Sequence, residues 1–445
     1  MNRHTDDLPS KPWRPSCPLT LVLGALLASL PSMAAGLPEV SVSGFGTLGY
    51  AVSNQPFGYQ RFIDDKGTFK RDSVAGLQVD ASHGSGFGAT LQVKAAPATS
   101  NDTQYDATVS WAFVSYRPNN DWLFRAGKQR IPLYLYSETY DVGATYDFAR
   151  LPTEMYSLTP SNDFTGVSLG RNWKALDGDL SVDGYWGESK NTFRFWFRDG
   201  LPPVLGQGAS FLGLDFKGVG LVISYKARDQ LFRMSIIRAS IRERNRQGGG
   251  FPASFPFVAL APGIGYYQVD PSIPGPGVGT VDKVVNTTVT LGADFLLPAD
   301  LRFVGELAHS MVSQSDYAPQ GTRGYASVLR QTGRWTPYLT YAFMRSPDDS
   351  LRSHNEINNN TVPAFVPSAA LLNASQRAGA DQVLVFDQSS WMVGASYAFS
   401  ATSKVKAEYM RSRIEAVSIL VDAPPGSNIR HQSINVFSLS YSVVF

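Results

Sequence analysis

The sequence predicts an all-β fold, a transmembrane antiparallel β-barrel of about 16 strands. Three observations carry that expectation. A side-chain period of two runs from Pro38 onward, and short turns alternate with long irregular connections. In the last stretch, Phe437, Leu439, Tyr441, Val443 and Phe445 occupy every second position, with serine between most of them. A strand sends successive side chains to opposite faces, so that stretch has one apolar face and one small polar face. Left as an edge in a soluble protein it would invite aggregation. As the closing strand of a barrel, its apolar face meets lipid and its serine face a wet lumen.

Composition agrees. The 445 residues are 43% hydrophobic and 17% charged, with a mean hydropathy of −0.13. That charged share is below the roughly 25% of soluble domains, and 40 glycines and 20 tyrosines suit turns and strands. A net charge of +2 gives no global basic field for nucleic acid. At the N-terminus Arg3, Lys11 and Arg14 precede a short apolar run, Leu19 to Leu30, followed by the small residues of Ser32-Met33-Ala34. This pattern predicts an export signal over residues 1–34 and a barrel over 35–445. The one cysteine, Cys17, falls within the signal, so the mature chain is expected to carry no disulfide and no Cys-based metal site. No later window approaches the 18 or so apolar residues of a spanning helix.

The strands follow in order. Val40–Val52 comes first. Ala75–Ala81 and Phe87–Ala95 then form a hairpin across His83-Gly84-Ser85-Gly86, with Gln78, Asp80, Thr90, Gln92 and Lys94 on its polar face. Ala107–Arg117 pairs with Trp122–Gly127 across Pro118–Asp121, and Phe164–Trp173 with Leu180–Gly187 across Asp177-Gly178-Asp179. Ala209–Ala227 pairs with Leu231–Arg242, and Lys283–Phe295 with Leu301–Met311. Thr322–Leu329 pairs with Trp335–Arg345. Trp391–Phe399 turns at Ala401-Thr402-Ser403 into the row Val405, Ala407, Tyr409, and the terminal strand closes the set. With both ends on one side the count must be even, which keeps Phe211–Lys226 a single strand. Gly44–Gly49 lacks the helix and the Lys-Ser/Thr pair of a phosphate loop and reads as strand. Five connections are long: Lys128–Asp163, Glu188–Gly208, Glu243–Asp282, Ser346–Gln388 and Leu420–Ile429. The prolines and glycines of Glu243–Asp282 predict a loop without strands.

Alternation also assigns charges to faces. Arg125 opposes Trp122 and Phe124 and is expected to point inward. Arg302 and Glu306 lie opposite Leu301 and Phe303, while Lys404, Lys406 and Glu408 lie opposite Val405, Ala407 and Tyr409. Lys94 is inward on the third strand, and Lys128 has lipid-facing parity unless the strand ends before it. Such rings of charge set ion preference in a pore. Catalytic patterns are missing: the five histidines form no H-x-x-x-H pair, no G-x-S-x-G elbow occurs, and Asp348-Asp349 reads as a solvated loop. No catalytic residue, metal site or cofactor is expected.

After the fifth strand the chain reads Arg125, Gly127, Lys128, Arg130 and Pro132, then Ser137, Glu138, Asp141, Val142, Gly143, Arg150, Pro152 and Glu154. This run resembles the outer-membrane porins of Gram-negative bacteria, in which a basic R-x-G-K/R-x-R-x-P strand end leads into an S-E…D-V-G…R-x-P-x-E loop. The resemblance implies that the third extracellular loop folds into the lumen and narrows it, and that the protein is a homotrimer in outer-membrane lipid. Glu138, Asp141, Asp147, Arg150 and Glu154 would then line a constriction facing a basic wall of Arg125, Lys128, Arg130, Arg302, Lys404 and Lys406. Phe445 resembles the signal read by the outer-membrane assembly machinery. The expected function is a non-enzymatic, water-filled channel in the Gram-negative outer membrane for small hydrophilic solutes or ions. The basic wall suggests small organic anions, while the loop acids weigh against simple anion selectivity. A secreted all-β binding protein or carbohydrate-active enzyme, and an outer-membrane barrel enzyme, are the alternatives, and extraction in buffer or in detergent separates the soluble ones.

Overall fold

The computed structural model describes residues 38–158, 162–201, 206–246 and 250–445. The signal expected over 1–34, with Cys17, lies outside the described residues, as do Gly248 and Gly249. Among the described residues sixteen strands pair antiparallel in chain order and close into a barrel. They are β1 (Glu39–Ser53), β2 (Val74–Ser82), β3 (Phe87–Pro97), β4 (Tyr105–Tyr116), β5 (Trp122–Arg130), β6 (Asp163–Ala175), β7 (Gly178–Phe197) and β8 (Gly208–Ala227). Then follow β9 (Gln230–Glu243), β10 (Val284–Leu297), β11 (Leu301–Ser313), β12 (Gly321–Arg330), β13 (Trp335–Arg345), β14 (Asp387–Ser400), β15 (Ser403–Ile414) and β16 (Ser433–Val444). β16 pairs with β1 from Phe45↔Val444 to Ser53↔Val436. Phe445 extends that seam by two bonds with Gly44, at 2.9 and 3.0 Å.

Side chains explain the closure. On β16, Phe437, Leu439 and Tyr441 are exposed, while Ser438, Ser440 and Ser442 are buried. The same split recurs around the wall, with Trp391 and Val393 exposed on β14 and Ser390 and Met392 buried. The exterior is thus apolar and aromatic, as a lipid-facing surface requires. Inside, small hydroxyls bridge strands: Thr47 to Ser442 at 2.9 Å, Thr288 to Ser310 at 2.8 Å and Ser327 to Thr340 at 2.7 Å. At the β2–β3 turn Gly86 has φ +86°, and a Cβ there would stand 2.2 Å from the Arg117 carbonyl oxygen. Only glycine fits that turn.

Three connections differ from expectation. The segment Glu188–Gly208 is mostly strand, because β7 runs on to Phe197 and pairs with β8 as far as Phe197↔Gly208. Phe193, Phe195 and Phe197 stack along this extension, at 4.9 and 6.3 Å between ring centres. The connection after β9 does contain strands. Phe251–Pro252 pairs with Thr280–Val281, and Phe257–Ala261 with Ile264–Tyr267 across Gly263, which has φ +72°. Pro256 and Pro271 flank the hairpin and Pro262 sits in its turn, while Pro252 pairs with Thr280 in the shorter ladder. The connection after β13 holds two helices, α1 (Asp348–Asn359) and α2 (Ala369–Ala380). Pro347 precedes α1, and Asp348 and Asp349 occupy its first turn, where acids favour a helix. That acidic pair is a helix start, not an irregular loop. Leu351, Ile357, Ala380 and Val383 pack with Phe255 and Tyr317, so these connections share an apolar core of their own.

Candidate functional site

The connection between β5 and β6 contacts inward-facing side chains on several sides of the barrel. It begins where Gly127, at φ +129°, ends strict alternation on β5. Beyond it Gln129 and Arg130 are both buried, Gln129 accepting from Ser168 at 2.7 Å and Arg130 pairing with Asp141. From there residues 131–158 reach strands around the barrel. The carbonyl of Leu133 accepts from Ser235 on β9 and Thr290 on β10, at 2.8 and 2.9 Å. The Tyr134 carbonyl accepts from Arg233 at 2.8 Å. Glu306 on β11 accepts from the Leu135 amide at 2.8 Å and from the hydroxyls of Tyr156 and Tyr325. Tyr338 on β13 accepts from the Ala149 amide and donates to Glu408, both at 2.9 Å. An apolar cluster of Leu133, Phe148, Met155 and Tyr156 packs against Tyr325, Tyr338 and Met392.

Ion pairs fix the same connection. Asp141 meets Lys94 at 2.9 Å as well as Arg130. Asp147 accepts from Lys404 and from Ser396, each at 2.8 Å. Burial alone would raise the Asp147 pKa, but Lys404 and the Ser396 bond hold it below the usual range. Lys406 donates to the Gly143 carbonyl at 2.8 Å and lies 4.3 Å from the centre of the Tyr146 ring. Arg150 grips Asp72, Nε to Oδ1 at 2.7 Å, and also reaches Gln60 and Ser438. Burial opposes ionisation of Asp72, yet Arg150 and then Arg71 keep its pKa low. Glu154 is 0% exposed; one oxygen accepts from Gln388 at 2.8 Å and from Ser390, and the other has no partner among the described residues.

The remaining expected residues are placed as follows. Arg125 faces inward over the Phe113 ring at 5.4 Å. Arg302 faces inward in a two-bond pair with Asp294, Nε to Oδ1 at 2.7 Å. Lys128 pairs with Asp163 at 3.2 Å. Glu138 is exposed. The residues 131–158 thus bring together Asp141, Asp147, Arg150 and Glu154 with Lys94, Arg130, Lys404 and Lys406; Arg302 also acts on Asp147 and Lys128 on Lys94, while Arg125 and Glu138 are not part of those pairs. Asp72 and Asp294 were not anticipated. Alternation against Ala293 and Phe295 would have placed Asp294 inward; Asp72 precedes its strand and has no such signal.

Beside this network lies a cavity of about 790 Å³, lined mainly by the β1–β2, β5–β6 and β15–β16 connections and by β7 and β8, with Phe251, Tyr317 and Leu384 from three further connections. Its wall holds Arg61, Arg71, Lys94, Arg150, Arg194 and Arg323 against Asp72, Asp141, Glu243 and Asp422, six cations to four carboxylates.

Fold and site together define a class: a closed sixteen-stranded barrel with an apolar exterior and an ionised, hydrogen-bonded interior. No family model matches the chain, and no curated protein matches it. Among solved structures it is similar to outer-membrane expressed OmpT of Vibrio cholerae, at 13% identity over 94% of this chain and 99% of that one, with a TM-score of 0.48. It is also similar to the outer membrane channel DcaP of Acinetobacter baumannii, at 13% identity over 94% and 100%, TM-score 0.47. The anion-selective porin from Comamonas acidovorans stands at 11% identity over 92% and 100%, TM-score 0.46.

Proposed function

We propose that this chain is a porin of the Gram-negative outer membrane, a passive, non-enzymatic channel for small hydrophilic solutes with a preference for small organic anions. The observation that carries the reading is the pairing of an apolar exterior with charged side chains on the inner wall, Arg125, Lys94, Arg302 and Lys404 among them. Such an interior is compatible with water and incompatible with hydrocarbon. Residues 131–158 form the constriction: they fold into the lumen, and their ion pairs to β3 and β15 hold them there against the pull of solvation. Solute then moves down its gradient past fixed charges that orient it. Residues 1–34 direct export, the Phe445 strand is read by the assembly machinery, and the barrel assembles as a homotrimer.

The test is liposome swelling with detergent-extracted protein and a panel of sugars and organic acids. Swelling that slows with solute size, and a heat-modifiable oligomer on a gel, are the expected results. A folded monomer that needs no detergent would instead favour the secreted binding protein or enzyme.

A further inference from the structure

The 790 Å³ cavity has two properties that a general water-filled passage does not require. The first is its charge. Three ionic clusters adjoin it, and each holds one more cation than carboxylates. Asp141 serves both Lys94 and Arg130. Asp72 is engaged by Arg150 at two points, which leaves Arg71 3.9 Å away as the second cation on one acid. Asp102 and Asp422 serve Arg61 and Arg194, while Lys70 donates to the Asp102 carbonyl at 2.6 Å and lies over the Phe62 and Tyr105 rings. Arg71 keeps 23% of its side chain exposed, so its surplus charge is open to a ligand. Glu243, the remaining acid on the wall, accepts from the Gly250 amide at 3.3 Å.

The second property is aromatic. Phe62, Tyr140, Tyr146, Phe193, Phe195 and Tyr317 are on the same wall. Tyr146 donates to the Tyr140 carbonyl at 3.3 Å, and Tyr140 stacks on Tyr156 at 6.0 Å, so these rings are held in place. Rigid aromatic faces recognise planar apolar bodies, and an incompletely neutralised guanidinium recognises a carboxylate by paired donors. The volume falls within the range of pockets that enclose a whole small molecule.

We infer that this cavity is a binding chamber for aromatic monocarboxylates, with Arg71 holding the carboxylate and the Tyr140–Tyr146 side of the wall holding the ring. The assignment rests on the channel reading above, and deepens it by naming the solute class. Neither half of the ligand suffices. A short aliphatic acid offers the charge without the ring, and a neutral aromatic alcohol the ring without the charge.

Planar-bilayer recordings of the full-length exported protein test this, with benzoate, acetate and benzyl alcohol each titrated as blockers of the chloride current, beside liposome swelling with arabinose. The chamber predicts a half-blocking concentration for benzoate about tenfold below those of acetate and benzyl alcohol. Arg71→Gln should raise the benzoate value about tenfold, the loss of one charge-assisted contact, and Arg71→Lys should restore part of it. Arabinose swelling with no benzoate advantage overturns the chamber and leaves the channel standing. An unchanged benzoate value in Arg71→Gln overturns the role of Arg71. Absence of swelling and of any conductance overturns the channel and the chamber together.

Discussion

Glu154 shows how single residues hold the site. It is fully buried on the connection between β5 and β6, and one of its oxygens takes two donors from β14 while the other has none among the described residues. Glu154→Gln keeps the acceptor and removes the buried charge, so it should unfold within about 1 kcal/mol of the parent. Glu154→Ala leaves Gln388 and Ser390 without their acceptor and should cost about 2 kcal/mol. Urea titration of the folded barrel in lipid vesicles reads both values; equal losses in the two variants would contradict the hydrogen-bond account. At this scale the sequence was partly legible. Alternation placed Arg125, Arg302, Lys404, Lys406 and Glu408 inward, and the structure has them there. Their partners were not legible, because Asp147 reaches Lys404, and Arg150 reaches Asp72, across separations that no local period encodes. Arg130 escaped alternation for a local reason, the positive φ of Gly127 three residues earlier.

Elements carry the next pair of predictions. Phe445 ends β16's seam with β1, and its ring covers Gly44 so closely that a Cβ there would fall 2.4 Å from the Phe445 ring. Deleting Phe445 removes two backbone bonds and that cover, so the chain should accumulate outside the membrane while any assembled fraction conducts normally. Normal assembly measured by membrane fractionation would contradict the role given to this residue. In the connection after β13, the Asp381 carboxylate that follows α2 accepts from the Arg198 amide at 2.9 Å. Burial raises its pKa to about 6, only partly offset by Arg198. The folded state therefore binds this proton more tightly than the unfolded chain, and stability falls as pH rises from about 4 to about 6. Asp381→Asn keeps the acceptor without the charge. It should slow proteolysis of the α1–α2 segment at pH 8 and make no difference near pH 4; a variant that is cleaved faster at pH 8 would contradict the burial argument. The strands themselves were readable from a period of two, whereas these helices were not. Asp348–Asn359 is polar along most of its length and owes its form to Pro347, to two acids in its first turn and to packing against the connection after β9.

For the whole molecule, closure is what the sequence expressed most fully. Sixteen strands, seven short turns and an aromatic final strand all follow from side-chain alternation and turn residues. Extent was less legible: β7 and β8 are 20 residues each, because their aromatic upper rungs pair beyond the height of the other strands. What the barrel does depends on the balance of fixed charge along its interior. The cavity wall carries two more cations than carboxylates among the described residues, and three of the four acids in residues 131–158, Asp141, Asp147 and Glu154, are held by wall groups, while Glu138 alone is exposed. The passage should therefore favour anions even though the connection between β5 and β6 is rich in acid. Single-channel recording across a KCl gradient tests that claim most directly. The account predicts discrete, passive conductance steps with a reversal potential displaced toward the chloride equilibrium value. Discrete steps with a potential near the potassium equilibrium value, or a folded, inserted barrel that passes no current, would contradict it.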